Sequence, residues 1–320
     1  MKLIIQIPCH NEEKCLPVTL RDLPKSIDGV DSIETLVIDD GSTDDTSAVA
    51  KQEGVDHVVR LPFKRGLAEA FRKGLDRSLE LGADIIVNTD GDNQYRGEDI
   101  AKLVAPILAK KAEIVIGCRD IFTIEHFSLV KKVLQKFGSS VVRRFSKTDI
   151  PDVTSGFRAY SRDAALRINV FSNYTYTLET IIQAGRKEIP MASVGIRTNE
   201  KLRESRLIKS LPSYIQRSIA TILRVYLMYE PMKFFIKTGS LIISISFLIG
   251  LRYMYFFFFA AKRGGHLQSL ILGAVLFMAG FMLIAIGLLA DIIAANRKLN
   301  EEILFRMRKS EFSGRVKDKV

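Results

Sequence analysis

Cysteine and histidine are scarce in this chain, and tryptophan is missing from all 320 residues. The three cysteines, Cys9, Cys15 and Cys118, are odd in number and scattered, which argues against a disulfide framework and fits a reducing compartment. His10, His57, His126 and His266 show none of the spacings that build a zinc site. No internal repeat or low-complexity segment occurs outside two long apolar runs. The apolar stretch of residues 1–8 is too short for a signal peptide, so the expectation is that nothing exports the domain it opens. A net charge of +11 would suit nucleic acid, but the excess lies mostly beside the apolar runs, where anionic lipid headgroups are the simpler partner.

What the chain does have is apolar length. With 47% hydrophobic residues it can bury one large core and still leave residues 238–261 and 267–290, each long enough for a helix to cross a hydrocarbon layer of about 30 Å. Lys262-Arg263-Gly264-Gly265-His266 forms a short polar turn between them, so the pair reads as a transmembrane hairpin. The tail carries Arg297, Lys298, Arg306, Arg308, Lys309, Arg315, Lys317 and Lys319, against two basic residues in the turn. By the positive-inside bias, the amino-terminal domain and the tail both face the cytoplasm. Arg252 lies inside the first run, able to snorkel to the far interface or to pair within an oligomer. Gly239, Gly250, Gly273 and Gly280 offer close-packing surfaces for such an oligomer. Residues 207–229 repeat apolar side chains at helical spacing among Lys209, Arg217 and Arg224, which suits helices at the membrane interface or packed on the soluble domain.

Through the first half, strand-like runs at residues 3–7, 35–38, 57–61, 84–88 and 113–117 alternate with helix-like runs at 16–23, 43–52, 66–81 and 98–110. That rhythm predicts a doubly wound, mostly parallel α/β sheet with ligands outside the carboxyl ends of its strands. Beyond Gly117 the pattern loosens into a loop at 119–128, a helix at 129–145, a short strand at Ala159, a helix at 175–184, a strand at 187–197 and a polar loop at 198–206.

The polar motifs fall at strand ends. The run at 85–87 breaks into Asn88-Thr89-Asp90-Gly91-Asp92-Asn93-Gln94, and two acids at i and i+2 past a strand can point the same way and share one hard divalent cation. Taken alone, so short and common a pattern is more often an acidic solvated turn, and only its context favours the cation. The first two strands end in Pro8-Cys9-His10-Asn11-Glu12 and Asp39-Asp40-Gly41-Ser42-Thr43-Asp44. Rim carboxylates can accept from ribose hydroxyls or a base N–H, and Ser42 or Thr43 can cap the next helix. Capping does not require Asp39 and Asp40 side by side, where like charges repel unless a ligand or cation shares them. Asp152 leaves three readings open: it orients an acceptor, fixes an arginine, or opens a turn.

In order, Pro8-x-x-Asn11-Glu12, Asp39-Asp40-Gly41-Ser42-Thr43-Asp44, Asp90-x-Asp92-x-Gln94, Gly117-x-Arg119 and Asp152-x-x-Ser155-Gly156-Phe157-Arg158 resemble a family 2 glycosyltransferase of the GT-A fold over about residues 1 to 210. With membrane spans after it, the chain is most similar to the polyprenyl-phosphate sugar transferases, the group of dolichyl-phosphate mannose synthase and the undecaprenyl-phosphate glucosyltransferases. The resemblance implies a GT-A catalytic domain at 1–206, amphipathic juxtamembrane helices at 207–233, a transmembrane hairpin at 234–296 and a basic cytoplasmic tail at 297–320. It implies donor binding by Pro8, Asn11, Glu12, Asp39 and Asp40, and Mg²⁺ or Mn²⁺ with the donor diphosphate on Asp90, Asp92 and Gln94. Asp92, Arg119, Asp152 and Arg158 then stand as catalytic candidates around the transferring sugar. Ser155, Glu179, Arg203, Ser205 and Arg206 stand as candidates for the acceptor phosphate, although Glu179, as a helical acid, is equally a solvated or ion-paired side chain.

The activity implied is inverting transfer of a single hexose from a UDP- or GDP-linked donor to a dolichyl or undecaprenyl phosphate at the cytoplasmic membrane face. Relatives in the group form tetramers, which makes a homo-oligomer the expectation. The sequence departs from the pattern at Cys9-His10, where a Thr-Tyr pair is common, and at Lys64-Arg65, where an asparagine is frequent. Both bear on the donor base. Processive polysaccharide synthases share the fold but resemble one another in a Gln-x-x-Arg-Trp motif, which a chain without tryptophan lacks. A diacylglycerol acceptor and a non-catalytic nucleotide-sugar-binding membrane protein remain the alternatives.

Overall fold

The computed structural model describes residues 1–119, 148–171, 175–200, 216, 219–220, 223–224, 226–259 and 267–317. Its described residues divide into two compact units, one of residues 1–222 with 305–320 and one of residues 223–304.

The first unit is an α/β layer structure. Its strands are β1 (Lys2–Cys9), β2 (Ser32–Asp39), β3 (His57–Arg60), β4 (Ile85–Asn88), β5 (Ile114–Arg119), β6 (Arg158–Ser161) and β7 (Met191–Ile196). They form one sheet in the order β3-β2-β1-β4-β6-β5-β7. All neighbouring pairs are parallel except those of β6, which runs antiparallel to β4 and β5. Strands β1 and β4 lie in the middle and are apolar on both faces, with Leu3, Ile4, Ile5, Ile7, Ile85, Ile86 and Val87 fully buried, as parallel strands covered by helices must be. The crossovers are α1 (Leu16–Asp22), α2 (Thr46–Gln52), α3 (Leu67–Glu80) and α4 (Ile100–Leu108). Two further helices, α5 (Arg162–Arg167) and α6 (Thr177–Arg186), frame the later strands.

Most sequence expectations for this unit hold to within a few residues, but α2 starts at Thr46 rather than residue 43. Neither Ser42 nor Thr43 caps it, because both side chains bond the β1 loop: Ser42 Oγ accepts from the Asn11 N–H and Thr43 Oγ1 from the Asn11 amide. The loop and helix expected at 120–145 lie outside the described residues.

The second unit contains α7 (Pro231–Phe259) and most of α8 (Leu267–Lys317), two helices long and apolar enough to cross a membrane. Leu241, Phe247, Leu248, Met278 and Phe281 are more than half exposed, an outer surface suited to lipid rather than water. The helices meet backbone to backbone. A Cβ on Gly239 would lie 2.7 Å from the Gly280 carbonyl oxygen, and one on Gly280 would lie 2.8 Å from that of Gly239. Ser246 Oγ donates to the Gly273 carbonyl at 2.6 Å. The turn at 260–266 lies outside the described residues.

Helix α8 does not stop where the apolar run ends. From Phe305 onward it belongs to the first unit. Arg308 donates to the carbonyls of Leu166 and Ile168 at the end of α5 and to Asp76 on α3, while Arg162 donates to the Phe312 carbonyl at 3.2 Å. Arg167 lies over the Phe305 ring at 5.0 Å and Phe312 is buried. Within the expected basic tail, Phe305, Arg308 and Phe312 are therefore packed on this unit.

Candidate active site

The loops after β1 and β2 are stitched together at the carboxyl edge of the sheet. Asn11 takes a left-handed backbone (φ 57°) and its Oδ1 accepts from the Thr43 N–H at 2.8 Å. The Glu12 N–H donates to Thr46 Oγ1 at 2.9 Å, and His10 Nδ1 lies 3.0 Å from the Asp40 carbonyl. Both rim aspartates are buried and answer backbone donors. Asp39 accepts from the Ser42 N–H at 2.8 Å and from the Ser47 hydroxyl, with Arg60 at 3.7 Å. Asp40 accepts from the N–H groups of Arg65 and Gly66 at 2.6 and 2.8 Å, which ties down the loop entering α3. The loop crosses so closely that a Cβ on Gly41 (φ 62°) would lie 2.5 Å from the Phe63 carbonyl carbon. Only glycine fits there.

The acidic loop arrives beside them from β4. Thr19 on α1 donates to the Gly91 carbonyl at 3.2 Å, and a Cβ on Gly91 would lie 2.8 Å from Cys9 Sγ. Burial pushes the Cys9 thiol well above its ordinary value, and the charges of Glu12, Asp39, Asp90 and Asp92 push it further. Carboxylates from three strand ends thus act electrostatically on one buried thiol. Asp92 Oδ1 accepts from the Gln94 N–H at 3.3 Å. Among the described residues no three His, Cys, Asp or Glu side chains close on one point as a full metal cage would. Asp90, Asp92 and Gln94 make an all-oxygen set short of the roughly six ligands of a hard cation, the pattern used where substrate phosphates supply the rest. The residues fit Mg²⁺ or Mn²⁺ on those terms.

The third group comes from the end of β5 and the loop before β6. Arg119 Nε donates to Asp152 Oδ2 at 2.7 Å and Nη2 to Oδ1 at 3.2 Å, while Nη1 reaches Gln94 Oε1 at 3.3 Å and Nη2 also reaches Thr154 Oγ1 at 3.2 Å. Burial alone would raise the Asp152 carboxyl, but the Arg119 charge and its hydrogen bonds hold it below the usual carboxylate range. Burial likewise opposes the Arg119 charge, and Tyr95, Asp152 and Asp90 more than offset it. Tyr95 stacks on Phe157 at 4.8 Å and its hydroxyl accepts from the Gly156 N–H at 3.2 Å.

A family model described as glycosyl transferase family 2 matches residues 4–168. The chain belongs to that family. Undecaprenyl-phosphate mannosyltransferase of Micrococcus luteus is 30% identical over 176 residues, 53% of this chain and 70% of that one. UDP-N-acetylglucosamine–dolichyl-phosphate N-acetylglucosaminyltransferase of Methanococcus voltae is 29% identical over 216 residues, 60% of this chain and 83% of that one. Among solved structures, glucosyl-3-phosphoglycerate synthase of Mycobacterium tuberculosis, in complex with Mn²⁺, UDP and phosphoglyceric acid, superposes with a TM-score of 0.56 at 22% identity, over 70% of this chain and 78% of that one. That likeness is one of fold.

In this glycosyltransferase the structure gathers Gln94, Arg119 and Asp152 beside the acidic loop of Asp90 and Asp92, and Asp152 both holds the arginine and opens a turn, its Oδ1 accepting from the Thr154 N–H at 3.2 Å and from Thr154 Oγ1 at 2.9 Å. Arg158 lies elsewhere in the packing. It is fully buried, donating from Nε to the Ser155 carbonyl, from Nη1 to the Thr177 carbonyl and Thr180 Oγ1, and from Nη2 to the Val153 carbonyl, all within 3.0 Å. It shapes the loop that carries Ser155, which is itself buried. Glu179 is buried rather than solvated: its carboxylate accepts from the Phe171 N–H at 3.1 Å and from Gln183 at 3.3 Å. Pro8 lies within β1, paired with Ile38. Arg203, Ser205 and Arg206 lie outside the described residues. Sequence reasoning gave no role to Tyr95, Thr154, Asn88 or Tyr176, of which Tyr95, adjoining Gln94, and Asn88, at the end of β4, carried a positional signal.

Proposed function

We propose that this glycosyltransferase moves a single hexose from a UDP- or GDP-linked donor to a polyprenyl phosphate at the cytoplasmic face of a membrane, inverting the anomeric carbon. The observation that carries the reading is the junction at one rim of an acidic loop and a clamped guanidinium, in a chain that also holds two apolar helices long enough to span a bilayer. The relatives named for undecaprenyl-phosphate and dolichyl-phosphate transfer support the acceptor class, and the Mn²⁺ and UDP of the structural neighbour support the donor chemistry.

Asp90, Asp92 and Gln94 would hold Mg²⁺ or Mn²⁺, which supplies charge neutralisation for the departing nucleoside diphosphate. Arg119, fixed in aim by Asp152, adds permanent positive charge beside the same group without reorganising during reaction. The acceptor phosphate is largely ionised near neutral pH, its second pKa being roughly 6, so its oxygen needs no strong general base. It forms the new bond to the anomeric carbon as the bond to the diphosphate oxygen breaks, and the electron pair leaves with the nucleoside diphosphate. Glu12, Asn11, Asp39 and Asp40 would shape the nucleoside pocket. Arg203, Ser205 and Arg206 are proposed for the acceptor phosphate, residues 1–206 as the catalytic domain, and a homo-oligomer as the working form.

The test is product formation from a panel of UDP- and GDP-sugars with short polyprenyl phosphate and Mn²⁺ or Mg²⁺, with chelator, unphosphorylated polyprenol and diacylglycerol as controls. Transfer requiring both metal and phosphate supports the reading and names the donor. Transfer to diacylglycerol overturns the acceptor, and nucleotide binding without transfer overturns the enzyme.

A further inference from the structure

Behind the acidic loop runs a line of buried polar groups that touches no open surface. Gln6 and Asn88 are register partners on β1 and β4, and Gln6 Nε2 donates to Asn88 Oδ1 at 2.9 Å. Asn88 Nδ2 donates both its hydrogens, to the Tyr176 hydroxyl and to the Gly156 carbonyl, each at 2.8 Å. The Tyr176 hydroxyl donates in turn to the same carbonyl at 3.3 Å, and its ring stacks on Phe71 at 3.8 Å with the planes 2° apart. Gln6, Asn88 and Tyr176 are fully buried.

Gly156 is the point at which this line meets the site. Its N–H is held by Tyr95 and its carbonyl by Asn88 and Tyr176, so its α-carbon cannot drift. A Cβ built there would lie 2.9 Å from the Tyr176 hydroxyl and 3.1 and 3.2 Å from the two oxygens of Asp90. The Asp90 carboxylate therefore packs against a bare α-carbon whose position is set by hydrogen bonds from behind. A metal pair that lacks a closed cage depends on outer groups to orient it.

We infer that Tyr176 is a positioning residue for metal binding: with Asn88 it fixes Gly156 as the seat that aims the Asp90 carboxylate. The inference rests on the metal role proposed above for Asp90 and Asp92. A buried hydroxyl used in this way need not touch donor, acceptor or cation.

The experiment measures Mn²⁺ binding to the full chain in detergent micelles, alone and with UDP or GDP, from the electron paramagnetic resonance signal of free Mn²⁺. Tyr176→Phe deletes the hydroxyl and keeps the stacked ring. It should weaken Mn²⁺ binding by about 10-fold, the lower end of the losses seen when an outer partner of a metal ligand is removed. Phe71→Leu removes the stacking partner and keeps the hydroxyl. It should lower the thermal midpoint and leave Mn²⁺ affinity within about two-fold of wild type. Unchanged Mn²⁺ affinity in Tyr176→Phe overturns the inference, as does an equal loss in Phe71→Leu, which would mean general loosening. Should Tyr176→Phe not fold, Gly156→Ala carries the same test, since its methyl crowds the Asp90 carboxylate directly, and unchanged Mn²⁺ affinity there overturns the inference. A wild-type chain that binds no Mn²⁺ under any of these conditions overturns the metal reading and this inference with it. Mn²⁺ binding without sugar transfer overturns only the proposed reaction.

Discussion

Arg119 grips Asp152 through two hydrogen bonds and turns its remaining nitrogen to Gln94, so one guanidinium joins the loop before β6 to the acidic loop after β4. The pair is almost wholly out of water, with side chains 9% and 1% exposed. A buried pair of this kind is a weak source of net stability, but removing one partner leaves the other charge uncompensated.

Asp152→Asn keeps the shape and removes the charge. It should cost about 3 kcal/mol of unfolding free energy by denaturant titration, and transfer should fall by about 100-fold as Arg119 loses its aim. The pH dependence follows from the lowered folded-state pKa of Asp152. Its contribution to stability is complete above the ordinary aspartate value of about 4 and is lost as pH falls through the depressed folded value. The Asn variant should lack that part of the acid-side decline.

Asp92→Ala should abolish metal-stimulated transfer while leaving the fold intact, because Asp92 sits in a loop past the end of β4 and outside the buried core. Initial rates with and without chelator decide this. Activity that persists in chelator would remove the metal from the mechanism.

Gly41→Ala should be among the most damaging single-methyl changes in the chain. The left-handed backbone alone costs an ordinary residue about 1–2 kcal/mol, and the methyl would lie 2.5 Å from the backbone at Phe63. Unfolding should show a loss above about 2 kcal/mol, together with weakened UDP and GDP binding in equilibrium dialysis. A stable variant that binds nucleotide normally would mean the 63–66 loop has another seat.

Arg308→Ala strips the donors from the Leu166 and Ile168 carbonyls and from Asp76. Stability of the full chain should drop by about 1–3 kcal/mol, with the donor KM unchanged, since none of these partners belongs to the rim. Truncation after Glu230 removes residues 305–312 altogether. The remaining piece should bind nucleotide and unfold at a lower temperature than the intact chain.

The alternation of strand and helix was legible because parallel strands buried on both faces leave continuous apolar runs, and the acidic loop stood out where Val87 and Asn88 give way to charge. What the sequence hid was burial of polar residues. Arg158 and Glu179 read as surface or ligand-facing groups, yet each is buried and bonded to backbone and side-chain groups brought in by tertiary packing. Ser42 and Thr43 looked like helix caps, but Asn11, 31 and 32 residues away in sequence, competes for both side chains. Six-residue α5 escaped notice because it follows β6 without a break. The tail was read by charge count, while Phe305, Arg308 and Phe312, spaced three and four apart, already marked one face of a continuing helix.

The contact between Gly239 and Gly280 bears on how copies of this chain can associate. Side-chain-free surfaces are what let membrane helices approach at backbone distance, and here two of the four candidate glycines are used up inside a single hairpin. Gly273 is likewise turned towards Ser246, whereas Gly250 faces open space. A bulkier residue at Gly239 or Gly280 would pry apart the two spans of one molecule before it disturbed any neighbour. Were copies of the chain to meet in a bilayer, Gly250 and the large aliphatic and aromatic faces would be what they present to one another, a looser kind of code that tolerates substitution.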